Sequence, residues 1–149
     1  MRIEEEIKQT KFKNAFQKVS INLQFTAKWL EAAGNDFFKE FGITAQQFNI
    51  LRILRGQNSN SISAAEIKQR MLDRNSDVSR LLDRLIDKEL VTKTQCESDK
   101  RATDVMITPT GMKLLAKIDG RLDEIDSKIL NLTAKEATLL SDLLDKCRG

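Results

Sequence analysis

Residues 63 to 111 contain the pattern that most restricts the fold: two short helices, a tight turn between them, and a β-hairpin directly afterwards. Ser63 stands three residues before Glu66, the spacing of a capping box, which marks the start of the first helix. The second helix is predicted to begin at Ser76 and is apolar along one side only, at Val78, Leu81, Leu82, Leu85 and Ile86. A buried helix followed by an amphipathic one is the construction of a helix-turn-helix.

The hairpin that follows predicts a wing. Residues 91–96 and 103–108 are rich in β-prone types, and the polar segment between them carries the adjacent cations Lys100 and Arg101. Residues 61–62 are expected to add a very short third strand. We therefore expect a mainly α fold with a small β-wing, that is, a winged helix-turn-helix flanked by helices from both termini.

The outward side of the second helix is polar and contains arginines, which suit DNA recognition. Arg80 has the geometry to donate two hydrogen bonds to guanine O6 and N7. The side chains of Ser76 and Ser79 are expected to reach phosphate groups or base edges. The alternative is that Arg80 and Arg84 only pair with neighbouring aspartates. The residues predicted to lie at DNA are Asn75, Ser76, Asp77, Ser79, Arg80, Arg84, Lys100 and Arg101.

Bulk charge does not support DNA binding. The chain has a formal net charge of +3, and residues 62–110 contain nine Lys or Arg and nine Asp or Glu. Binding therefore has to depend on where the charges point, and affinity for non-specific DNA is expected to be modest and salt-sensitive. A winged-helix module that binds a protein partner, without specific DNA binding, stays open as the alternative function.

Several segments resemble the MarR family of bacterial winged-helix regulators. These are DVSRLLDRL at 77–85, LVTK at 90–93, DKR at 99–101 and ITPTG at 107–111, and the similarity covers about residues 44–111. Glu89 stands where the family usually has glycine, and Lys93 where it usually has arginine. The resemblance implies a transcriptional regulator, a repressor by expectation, whose two copies interlock through their termini and present two recognition helices to one pseudo-palindromic DNA site.

The flanking segments are predicted to be dimerisation helices. A long helix is expected over residues 4–33, interrupted at 34–36, and another from Pro109. The second carries a seam with spacings of three and four, the pattern for packing against another helix, at Leu115, Ile118, Leu122, Ile125, Ile129 and Leu132. We divide the chain into 1–43 for N-terminal dimerisation, 44–110 for the DNA-binding domain and 111–149 for C-terminal dimerisation. Both termini have more apolar surface than the middle can cover, which predicts a two-fold homodimer.

Aromatic residues concentrate near the N-terminal helix. In the family, small anionic or aromatic molecules bind between the dimerisation helices and the DNA-binding lobe. Such an effector pocket is predicted at Phe25, Trp29, Phe37, Phe38 and Phe48, with ordinary core packing as the alternative.

Composition argues against an enzyme and against a cofactor or metal. The chain has no histidine, only two cysteines (Cys96 and Cys147), no glycine-rich phosphate loop and no readable nucleophile–base pair. A redox role for either thiol stays open. It would require that the thiol is exposed and has a low pKa. No apolar run approaches the ~18 residues that span a bilayer, and no secretory signal is recognised at the start. The expected location is the cytoplasm, with no membrane partner.

Overall fold

The structure is a computed structural model that describes residues 1–58, 60–95 and 103–149, without the side chains of residues 94, 95, 103 and 123–129. Over these ranges the chain forms seven helices and three strands. In chain order they are α1 (Ile3–Glu6), α2 (Ala15–Lys39), α3 (Ala45–Arg55), β1 (Ile62–Ser63), α4 (Ala64–Arg70), α5 (Val78–Asp87), β2 (Val91–Gln95), β3 (Thr103–Ile107), α6 (Pro109–Leu130) and α7 (Ala134–Arg148). The expected mainly α fold with a small β-wing is confirmed.

Capping boxes start three of these helices. Thr44 and Gln47 open α3, Ser63 and Glu66 open α4, and Thr133 opens α7 with its own glutamate three residues later. In α4, hydrogen bonds from the backbone and then the side chain of Ser63 lower the pKa of the Glu66 carboxyl. A negatively charged side chain at the start of a helix is also stabilised by the helix dipole. These helix starts could be predicted because the interacting residues are only three positions apart.

The wing is a three-stranded antiparallel sheet in the order β1-β3-β2. Ile62 pairs with Val105 across β1 and β3, and Val91 pairs with Ile107 across β2 and β3. The very short third strand predicted at residues 61–62 is thus present one residue later. Its pairing fixes the hairpin to the start of α4.

The hydrophobic core is centred on α3. Ile50 and Leu51 have no exposed surface, and they pack with the buried sides of α4, α5, the sheet and the first half of α6. The core residues outside α3 with no exposed surface are Ile67, Leu85, Val105, Leu115 and Ile118. Burial of the α5 apolar side fixes that helix's polar side toward solvent.

The N-terminal helix differs from the expectation at both ends. The long helix predicted over residues 4–33 is present from residue 15 onward, but its predicted start at residue 4 is wrong. α2 begins at Ala15, where the Asn14 side chain accepts a hydrogen bond from the Gln17 N–H at 2.9 Å. The predicted interruption at 34–36 is also wrong, since α2 continues through Gly34 to Lys39. Its last turns bury Phe37 and Phe38 in the core, and this packing outweighs the low helix propensity of one glycine.

The apolar residues of the seam predicted for the C-terminal helix differ in burial along the helix. Leu115 and Ile118 are fully buried in the core of their own chain, and Leu122 is half-buried against it. The first half of the seam therefore packs within its own chain, where α6 contacts α3. Ile125 and Ile129 lie outside the described side chains, and Leu132 is 38% exposed.

The end of α5 forms a tight left-handed turn. Glu89 has φ 58°, its N–H donates to the Ile86 carbonyl, and the Leu90 N–H donates to the Leu85 carbonyl. This pair of bonds is a Schellman motif, whose left-handed residue is usually glycine. Glu89 therefore takes a left-handed conformation at the position where the resembled family usually has glycine.

Candidate nucleic-acid interface

The polar side of α5 is exposed along its length. The helix begins at Val78 with Asp77 as its cap, since the Asp77 carboxylate accepts a hydrogen bond from the Arg80 N–H at 3.1 Å. Val78, Leu81, Leu82 and Leu85 are buried, whereas Ser79, Arg80 and Arg84 are exposed. Because Asp77 is occupied by the helix start, its part in this surface is to orient α5.

Neither arginine is held by the aspartates of its own helix. Within the described chain, Arg80 and Arg84 form no ion pair with Asp77, Asp83 or Asp87. Asp83 instead pairs with Lys93 of β2, whose Nζ lies 2.6 Å from Asp83 Oδ1. The partner of Asp83 is thus a lysine of the strand and not an arginine of α5. The guanidinium groups of α5 are directed to solvent.

Ser76 departs from the expected surface. The residue is only 5% exposed, and its hydroxyl accepts a hydrogen bond from Gln46 Nε2 at 3.2 Å. The expectation that Ser76 faces outward assumed a helix beginning at that residue. Because α5 begins two residues later, Ser76 belongs to the preceding turn and points into the molecule.

The turn before α5 is tied down by hydrogen bonds. Asn75 is exposed, and its N–H donates to Asp73 Oδ1 at 2.9 Å. Gln46 Nε2 also donates to Asp73 Oδ2 at 3.2 Å, and the Leu72 N–H donates to Asn49 Oδ1 at 3.0 Å. The sequence interpretation missed Gln46 and Asn49. Their signal was a pair of amide side chains three positions apart, and so on one side of α3.

Lys100 and Arg101, the predicted wing contacts, lie outside the described residues. The strand that precedes them in the chain, β2, packs against α5. Among the predicted site residues, the structure therefore brings together Asn75, Asp77, Ser79, Arg80 and Arg84 on one surface.

A cleft of about 1190 Å³ lies between α2, α3 and the turn before α5. Lysine and carboxylate side chains line it together with apolar ones. Its lining includes Lys28, Leu30, Glu31, Asp36, Lys39, Ile43, Gln46, Asn49, Leu72 and Asp73. Lys28 is paired with Glu31 at 3.0 Å. The cleft thus lies between α2 and residues 71–77, the turn before α5, which is called the recognition turn.

The five aromatic residues predicted to form an effector pocket do not line this cleft, although the structure describes all of them. Phe37, Phe38 and Phe48 are buried together, with Phe38 and Phe48 stacked at 4.3 Å between ring centroids. Phe25 is half-buried on α2 and Trp29 is 38% exposed. Core packing, which was the alternative for these aromatics, is what the structure shows for the three phenylalanines.

Other site chemistry is sparse. Within the described ranges, no three of the residue types His, Cys, Asp and Glu are grouped so that they could hold a metal ion. Cys147 is an exposed thiol, and Cys96 lies outside the described residues. No helix of the described chain combines the length and apolar character needed to cross a membrane.

Comparison with known proteins identifies a family. The MarR family model matches residues 43–103. The chain is 31% identical over 114 residues to the multiple antibiotic resistance protein MarR of Salmonella typhimurium, which covers 75% of this chain and 78% of that protein. It is 26% identical over 119 residues to the HTH-type transcriptional regulator PecS of Dickeya dadantii, covering 78% and 72% of the two chains.

A solved structure agrees with this assignment. The crystal structure of a mutant MarR from E. coli complexed with operator DNA is similar with a TM-score of 0.79 and 25% identity, covering 93% of this chain and 99% of that one. Sequence and fold thus agree with the motifs at α5, the wing and the start of α6. The chain belongs to the MarR family and is a DNA-binding transcriptional regulator of the winged-helix type.

Proposed function

We propose that this protein is a repressor that binds a pseudo-palindromic double-stranded DNA operator as a homodimer and is released by a small molecule. The observation that carries the proposal is the two-sided character of α5, whose apolar side is in the core while Ser79, Arg80 and Arg84 face solvent. In this proposal the chain has no enzymatic activity. It acts on DNA in the cytoplasm.

The DNA contacts divide into two kinds. Arg80, in the first turn of α5, is the candidate for reading a guanine through two hydrogen bonds, with Ser79 and Asn75 beside it. Arg84, one turn further, and the wing residues Lys100 and Arg101 are candidates for phosphate or minor-groove contacts. Asp77 keeps its capping role, and Ser76 is left out because its hydroxyl is buried.

Exposed apolar residues at both termini support a homodimer. Phe16 and Val19 of α2 are 85% and 51% exposed, and Leu139 and Leu143 of α7 are 59% and 50% exposed. The structure describes all of α7, and none of its side chains is buried. A soluble protein rarely leaves such helices uncovered, and the same segments of a second copy cover them in an isologous interface.

The cleft between α2 and the recognition turn supports regulation by a small molecule. It offers Lys39 to an anionic group, since Lys28 is paired with Glu31, and it offers Leu30, Ile43 and Leu72 to an apolar one. A small aromatic or anionic effector therefore fits its chemistry. Its position beside the turn that precedes α5 gives an effector a direct route to the DNA-binding surface.

Binding-site selection from random duplexes, followed by band-shift titration over a range of salt, tests the proposed function. The selected sites should have imperfect dyad symmetry with half-site centres about 10 bp apart, so that both α5 helices enter one face of the duplex. Arg80→Ala should weaken binding to the best site by about 1–3 kcal/mol and relax the preference at one base pair in each half-site.

Arg148→Ala, which removes an equal charge at the end of α7, is the control and should bind as the unmodified protein does. Selected sites without a dyad would contradict the homodimer docking. Absence of binding even at low salt would contradict DNA recognition and favour the alternative of a protein-interaction module.

A further inference from the structure

The amide of Gln46 connects the cleft to the recognition helix. A single atom, Gln46 Nε2, lies 3.2 Å from Asp73 Oδ2 and 3.2 Å from Ser76 Oγ. An amide nitrogen carries two hydrogens, so both bonds form at once. Three residues further along α3, on the same side of the helix, Asn49 Oδ1 accepts the Leu72 N–H at 3.0 Å.

These three bonds hold the segment between α4 and α5. Residues 71–77 contain no helix or strand, and the segment leads directly to the Asp77 cap. Asn75 lies within it, and Arg80 is in the first turn that follows. The position of the proposed base-reading residues therefore depends on what fixes this turn, and α3 is the rigid, buried element to which it is fixed.

Gln46 and Asn49 also line the cleft, as do Leu72, Asp73 and Asn75 of the turn that they hold. A molecule that enters the cleft meets the side chains that hold the turn. Leu72, which also lines the cleft, is 89% exposed, so an apolar group bound in the cleft can pack against its side chain. The cleft and the recognition turn thus share one set of hydrogen-bonding groups.

We propose that Gln46 and Asn49 are positioning residues for DNA binding, through which the cleft acts on the recognition helix. An acceptor group in the cleft takes the Gln46 amide from Asp73 and Ser76, and the turn before α5 loses two of the three bonds that hold it to α3. Ser76 Oγ then loses a partner in a buried position, which costs free energy and favours a displaced turn. This inference rests on the proposed function, because its readout is DNA affinity.

A swap of the two side-chain chemistries tests the positioning role. Gln46→Glu removes both donors and sets a carboxylate against Asp73. Adding Asp73→Asn restores a donor–acceptor pair, since the new amide at position 73 donates to the new carboxylate at position 46, and it returns the net charge to its original value. The amide oxygen at position 73 still accepts the Asn75 N–H. Affinity is measured for the selected operator and for an unrelated duplex, together with the melting temperature.

The single Gln46→Glu change is expected to lower operator affinity about tenfold, and the double change is expected to recover most of that loss, as interacting pairs do. The ratio of operator to unrelated-duplex affinity should follow the same pattern, which a general loss of folding or an added negative charge would not produce. Variants that bind like the original protein, or effects that simply add, overturn the inference. If the original protein binds no DNA, the proposed function fails and the inference fails with it.

A tethered group tests the link to the cleft without an identified effector. Asp36, an exposed cleft residue, is changed to Cys in a Cys96→Ser, Cys147→Ser background and treated with 5,5′-dithiobis(2-nitrobenzoate). This places an aromatic carboxylate in the cleft through a disulfide that dithiothreitol removes. Lys117→Cys on the exposed side of α6, which does not line the cleft, receives the same label as the control.

Labelling at position 36 should lower operator affinity about tenfold, and reduction should restore it, consistent with the usual size of coupling between two sites. In a Gln46→Leu, Asn49→Leu background the same label should have little further effect, because the bonds it displaces are already absent. An equal loss in both backgrounds, an equal loss at the control position, or no loss at position 36 would each overturn the inference.

Discussion

Lys93 of β2 and Asp83 of α5 form an ion pair in which the lysine Nζ lies 2.6 Å from Asp83 Oδ1. The pair joins the base of the wing to the middle of the recognition helix, so the two elements proposed to touch DNA are fixed to each other. The pair also explains why Asp83 does not bind an arginine of its own helix. Asp83 is occupied by a strand residue, which leaves Arg80 and Arg84 directed to solvent.

The first prediction concerns this pair. Lys93→Met and Asp83→Asn should each lower the free energy of unfolding slightly, with a coupling between them of about 0.2–1 kcal/mol, because both groups are partly exposed. Urea unfolding of the two single variants and the double variant measures the coupling. It should shrink at about 1 M salt, where exposed charges are screened. Additive effects at low salt would show that the pair does not form in solution.

The second prediction concerns the left-handed turn after α5. Glu89→Gly should raise the free energy of unfolding by about 1 kcal/mol, because glycine adopts a positive φ without the clash of a Cβ atom. Glu89→Ala is the matched control and should give no such gain, since alanine keeps the Cβ. Thermal and urea unfolding of both variants measure the difference. Equal stability of the Gly and Ala variants would mean that the turn is not left-handed.

The third prediction uses two glycines of α6. A Cβ at Gly111 would lie 2.4 Å from the Leu90 carbonyl oxygen and 2.7 Å from Ile107 Cγ1, so Gly111→Ala should cost about 1–3 kcal/mol through overpacking. Nothing lies within 4 Å of a Cβ at Gly120, and Gly120→Ala should stabilise the same helix by up to about 1 kcal/mol. Urea unfolding gives both values. A Gly111→Ala variant as stable as the original protein would refute this close approach.

The fourth prediction tests the proposed dimer at α7. Leu139→Glu combined with Leu143→Glu should leave helix content unchanged but separate the subunits, because two charges per chain would enter the apolar interface. Thr138→Glu with Ser141→Glu places the same charge on the opposite side of the helix and should leave the dimer intact. Analytical ultracentrifugation and circular dichroism measure both variants. A Leu139→Glu, Leu143→Glu protein that still sediments as a dimer would remove α7 from the interface.

Short-range relationships in the sequence determined much of the fold. The starts of α3, α4 and α7 follow from capping boxes, whose partners are three residues apart. The wing follows from two β-prone runs around a polar segment. In each case the interacting groups are near neighbours, so their geometry is fixed before the chain packs.

Only the tertiary structure decided what covers each apolar side. Leu115 and Leu132 belong to one periodic seam, yet the first is buried in its own chain and the second is exposed. Periodicity shows which side of a helix is apolar, but the element packed on that side comes from elsewhere in the chain. The same reason explains why Phe38 stacks on Phe48 in the core and does not line the cleft.

The site shows the same division. The exposed Arg80 follows from the stripe of α5, because a helix that buries one side exposes the other. The burial of Ser76 does not follow from it, since it depends on Gln46, thirty residues earlier, reaching the turn from α3. Local spacing therefore determined which side of α5 meets solvent, and the packing of α3 against the turn decided how that side is held.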